Sequence, residues 1–91
     1  MAEIRVEQQR DDVYLVRVDE GDSSTEHRVT VTDEHVTRFG AGAEAERLLE
    51  ASFRFLLERE SKESILGRFE LPVIARYFPE YPDEIRRRLS G

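Results

Sequence analysis

The sequence predicts an α+β fold: a three-stranded antiparallel sheet packed on one long helix, with short helices closing the C-terminal end. Three observations carry this prediction. Residues 1–32 alternate apolar and polar side chains with a period of two, interrupted by turn-forming clusters. Residues 43–60 change to a spacing of three and four. Residues 61–91 break into short apolar runs separated by three prolines.

Ile4-Arg5-Val6-Glu7 has the alternation of a half-buried strand, and Arg10-Asp11-Asp12 that of a turn. Val13 to Val18 follows as a denser β-type run, with Tyr14, Val16 and Val18 on one face and Val13, Leu15 and Arg17 on the other. Together the two runs predict a hairpin. Asp19 to Ser24 is a loop, rich in residues that hydrogen-bond their own backbone. From Thr25 to Thr32 the third strand directs Thr25, His27, Val29 and Val31 to one face and Glu26, Arg28, Thr30 and Thr32 to the other.

Thr32 or Asp33 can cap a short helix running to about Phe39, ended by Gly40-Ala41-Gly42. The main helix over 43–60 places Ala45, Leu48, Leu49, Ser52, Phe53, Leu56 and Leu57 on one stripe. Phe55 lies off that stripe, so this helix is expected to bury a second flank. Beyond Ser61, Glu63 to Phe69 reads as a short helix ending near Gly67. Pro72 suits the first turn of another, stopped by Pro79. Pro82 opens the last helix, with Asp83 and Glu84 in its first turn and Arg86, Arg87 and Arg88 in its last, as the helix dipole favours.

With 91 residues the chain is read as a single domain over 1–91: a β-rich part over 1–32, two helices over 33–60 and a cap over 61–91. A domain of this size buries only about 60–65% of its unfolded surface, and pairing with a copy or a partner often adds stability. Charged residues form 37% of the chain, above the usual share of about 25%, and their even spread indicates a heavily solvated surface. There is no cysteine, which excludes disulfides, thiolate metal sites and thiol chemistry. Glu3 and Arg5 enter too early for a signal peptide, and the apolar runs are too short to span a bilayer. The expected location is the cytoplasm.

Net charge is −6, with five Arg against ten Asp and Glu in residues 1–40. Phosphate would repel such a chain unless its arginines cluster, so nucleic acid is disfavoured as a partner. His27 and His35 are the only imidazoles, and no carboxylates are spaced to join them in a metal site. Ser52 lies mid-helix rather than on a strained turn beside a base. No cofactor, metal or catalytic group is expected, and the chain reads as a non-enzyme. Phe69, Tyr77, Phe78 and Tyr81, interleaved with the prolines, are either a cap on the core or a surface for protein contact.

Residues 27–59 resemble a ribbon-helix-helix unit: the strand His27-Arg-Val-Thr-Val-Thr32, the short helix Asp33 to Phe39, the glycine turn, and the helix beginning at Glu44. With a β-rich segment beside it, the chain is also similar to HicB-type antitoxins. The resemblance implies a strand paired across a dimer, with Arg28, Thr30 and Thr32 facing the DNA major groove. The favoured expectation is a non-catalytic protein-interaction or regulatory module that binds a protein partner or forms a homodimer. The alternative is a ribbon-helix-helix-like DNA-binding regulator or antitoxin.

Overall fold

The computed structural model describes residues 2–90. Three long strands form a meander: β1 (Glu3–Arg10), β2 (Val13–Glu20) and β3 (Ser23–Thr30), paired antiparallel in sequence order. The β2–β3 link is the two-residue loop Gly21-Asp22. Gly21 has φ +61°, the sign that the first central residue of a type II′ hairpin requires. The expected faces hold. Val16 and Val18 from β2 and His27 and Val29 from β3 are buried on the inner face, while Arg17, Glu26 and Arg28 are exposed on the outer one. The third strand ends at Thr30, two residues earlier than the pattern suggested.

The sheet differs from expectation in having a fourth strand. Arg68–Glu70 forms β4, parallel to β3, in the order β1-β2-β3-β4, so the sheet is mixed. Two bonds seat it: the Arg28 N–H donates to the Gly67 carbonyl at 2.8 Å, and the Leu71 N–H to the Thr30 carbonyl at 3.0 Å. The helix expected over 63–69 is therefore a single 3-10 turn at Lys62–Ser64 followed by a strand. Phe69 is the one β4 side chain that turns inward.

Two helices connect β3 to β4. In α1 (Asp33–Phe39), Thr32 is the cap: its Oγ1 accepts the His35 N–H at 3.2 Å, while its own N–H donates to His35 Nδ1 at 3.1 Å. The main helix α2 (Ala45–Leu57) is shorter at both ends than its periodicity implied. Leu48, Leu49, Phe53 and Leu56 are buried in the core cluster with the valines of the sheet. Its second flank carries Phe55, fully buried edge-on against Tyr81 and Phe78 with centroid distances of 5.3 and 5.8 Å. The Arg59 guanidinium lies 3.7 Å over the Phe55 ring and also donates to Glu80 at 3.1 Å.

The cap consists of α3 (Val73–Tyr77) and α4 (Tyr81–Ser90). α4 packs against α2 through Tyr81, Ile85 and Leu89. Arg88 bridges Glu58 at the end of α2 and holds its carboxyl below the ordinary range. No helix among the described residues is long and apolar enough to cross a membrane.

Candidate functional site: an apolar cleft beside the parallel strand

The cleft follows from β4. Once Gly67 to Leu71 runs alongside β3, the preceding segment 64–66 crosses the end of α2, and α3 folds back against it. An apolar depression of about 240 Å³ is left between them. Leu56, Ile65, Phe69, Ile74 and Phe78 line it, and Glu60 stands at its edge. Leu66 and Tyr77 are the two large apolar side chains that remain exposed among the described residues, at 47% and 68%, and both border the cleft. No other large apolar side chain among the described residues is exposed, so this is where exposed apolar area concentrates.

His27 fixes one wall. It is 2% exposed, with Nδ1 2.8 Å from the Leu66 carbonyl and Nε2 2.8 Å from Thr25 Oγ1. A carbonyl can only accept, so Nδ1 carries a proton and donates it to Leu66, while Nε2 is paired with the threonine hydroxyl. The ring also lies 5.2 Å from Phe53. A side chain that reads from sequence as a packed histidine thus anchors the backbone of a cleft residue thirty-nine positions away.

The four aromatic contact candidates separate. Tyr77 is exposed on the rim and Phe78 is partly buried in the lining. Phe69 is 9% exposed and forms the floor of the cleft. Tyr81 is fully buried, between Ser52, Phe39 and Phe55, and so belongs to the core rather than to any contact surface. Its hydroxyl reaches Ser52 on α2, and that polar anchor draws the ring inward. Leu66, part of the rim, is absent from the aromatic pattern. The sequence signal for it was a lone leucine directly before Gly67.

The strand candidates lie on the opposite side of the sheet. Arg28 is exposed on the outer face, its Nε donating to Gln9 at 3.3 Å, with Arg68 beside it on β4. Thr30 is half-buried at the end of β3. Thr32 lies beyond the strand and its hydroxyl is engaged in capping α1. Both edges of β3 are hydrogen-bonded within the chain, to β2 and to β4. Among the described residues no three histidine or carboxylate side chains converge as a metal ion would require. Compared with known proteins, the chain matches no family model, no curated protein and no solved structure.

Proposed function

We propose that the protein is a non-catalytic interaction module of the cytoplasm that captures an apolar side chain of a protein partner in the cleft between α2, β4 and α3. The observation that supports this reading is the cleft itself, open, apolar and bordered by exposed Leu66 and Tyr77. Its volume of about 240 Å³ is below the range of about 300–1,000 Å³ typical of small-molecule sites. It suits one or two anchoring side chains, the usual centre of a protein–protein contact. Glu60 on the rim favours a basic residue next to the anchor.

The DNA-binding alternative asks more of the fold. Pairing β3 across a dimer would require β4 to leave, and Thr32 would have to give up its cap. Peptides selected from a random library on the intact protein provide the test. The selected peptides are expected to carry an aliphatic or aromatic anchor, to bind wild type and Arg28→Ala equally, and to lose at least tenfold affinity for Leu66→Ser and Tyr77→Ser. Peptides indifferent to both rim substitutions would overturn the reading. So would Arg28-dependent binding of a duplex from upstream of the protein's own coding sequence.

A further inference from the structure

The β1 edge of the sheet, opposite β4, is unpaired among the described residues and is eight residues long. An edge of this length is a template for another strand unless something blunts it. Charges on an edge strand commonly do so, and β1 carries Glu3, Arg5, Glu7 and Arg10. The order of these charges points to a specific occupant instead.

The hydrogen-bonding phase of β1 follows from the other side of the sheet. The Arg28 amide bonds Gly67, so the backbone groups of Arg28 face β4 and not β2. In an antiparallel ladder, opposed residues alternate between bonded and non-bonded pairs. Leu15, opposite Arg28, therefore directs its own groups towards β1, where it meets Glu7. Glu7 is thus bonded inward, and Val6 presents its N–H and C=O to the open edge, as Ile4 and Gln8 do by the same alternation. At these positions a second strand can bond.

We infer that the occupant is β1 of a second copy, antiparallel, with the dyad at Val6. In this register Val6 faces Val6 as a doubly bonded pair, and Ile4 faces Gln8. Arg5 then stands opposite Glu7 of the second copy, and Glu7 opposite its Arg5. These are non-bonded positions, where side chains approach most closely. Neighbouring registers of the same parity are disfavoured: a dyad at residue 5 opposes two arginines, and one at residue 7 opposes two glutamates. Registers of odd parity would place the inner face of one sheet beside the outer face of the other. An edge charged merely for protection would repel in every register, whereas this one repels in the neighbouring two. A dyad at residue 4 also opposes Glu3 and Arg5, but it overlaps only residues 2–6, against residues 2–10 for the dyad at Val6. Within the chain Arg5 lies across from Arg17 of β2 and pairs with Glu3 at 3.0 Å, and the dimer sets a second carboxylate on its other side. The half-buried Ile4 and Val6 from both copies meet at the seam, producing an eight-stranded sheet with α2 of each copy on the same face.

Sedimentation of the full chain tests the proposal. At submillimolar concentration the wild type should have twice its chain mass of 10.6 kDa. Arg5→Glu and Glu7→Arg alone should each sediment as monomers, since each opposes like charges at the seam. An equimolar mixture of the two should recover the dimer, because each then supplies the charge the other lacks. The double variant Arg5→Glu/Glu7→Arg should dimerise by itself. Both positions are exposed, so the circular dichroism spectra should match wild type. A monomeric wild type, single variants that dimerise unimpaired, or a mixture that stays monomeric would each overturn the inference. Leu66→Ser and Tyr77→Ser lie outside the seam and should leave the dimer unchanged, so failure here is distinct from failure of the cleft reading.

Discussion

The Tyr81 hydroxyl donates to Ser52 Oγ at 2.7 Å, across the fully buried boundary between α2 and α4. The direction is fixed because the single Ser52 hydroxyl proton is given to the Leu48 carbonyl, also at 2.7 Å. Removing the acceptor leaves the phenol buried and unpaired, so Ser52→Ala should destabilise the protein by about 1–3 kcal/mol. Tyr81→Phe leaves Ser52 still bonded to Leu48 and should cost about 0.5–1.5 kcal/mol. The double substitution should cost less than the sum of the two, and urea denaturation of all four proteins measures the coupling. Strict additivity would show that the bond does not link the two helices.

The same burial governs the alkaline limb of stability. Desolvation pushes the Tyr81 phenol far above its usual 10.0. The unfolded phenol ionises near its usual value while the folded one keeps its proton. The contribution to stability is therefore full below about pH 10 and declines as pH rises above it. Denaturant midpoints measured from about pH 8 to pH 11 should fall in the wild type and fall less steeply in Tyr81→Phe. Tyr14, raised in the same direction chiefly by desolvation, accounts for a residual slope.

Stability and surface chemistry should separate at the cleft. Phe53 is fully buried against His27 and Phe69, and Phe53→Ala should cost about 3–5 kcal/mol, a large share of the stability of so small a domain. Leu66→Ser and Tyr77→Ser, although they remove large apolar side chains, should change stability by about 0.5 kcal/mol or less. Thermal melts of the three variants check the contrast, and a severe loss in either rim variant would place that side chain in the core.

Gly40 should not tolerate a methyl group. A Cβ built there falls 2.5 Å from the Val36 carbonyl oxygen, a backbone atom that cannot move without disturbing the end of α1. Gly40→Ala should lower stability by about 1–3 kcal/mol. Gly67, whose Cβ would meet no atom within 4 Å, is the matched control and should accept alanine at much smaller cost.

Periodicity made much of the fold legible. The two faces of β2 and β3, the buried stripe of α2 and the Thr32 cap are local patterns, each repeated over several residues or completed within four. The sequence therefore determined the meander, the main helix and which of their side chains form the core. β4 was different. Arg68-Phe69-Glu70 alternates for too few residues to show a period, and the strand exists because Gly67 and Leu71 bond to Arg28 and Thr30, some forty residues earlier. No local preference encodes such a pairing. With β4 unseen, the fates of the aromatic residues could not be sorted either. Phe69 turns inward because β4 takes its phase from β3, and Tyr81 turns inward because α4 docks on Ser52. Tyr77 stays outside because α3 buries Ile74 instead. The apolar cleft thus belongs to the tertiary structure alone. Its walls come from α2, from the 64–66 segment and from α3, and only long-range hydrogen bonding and packing bring them to one place.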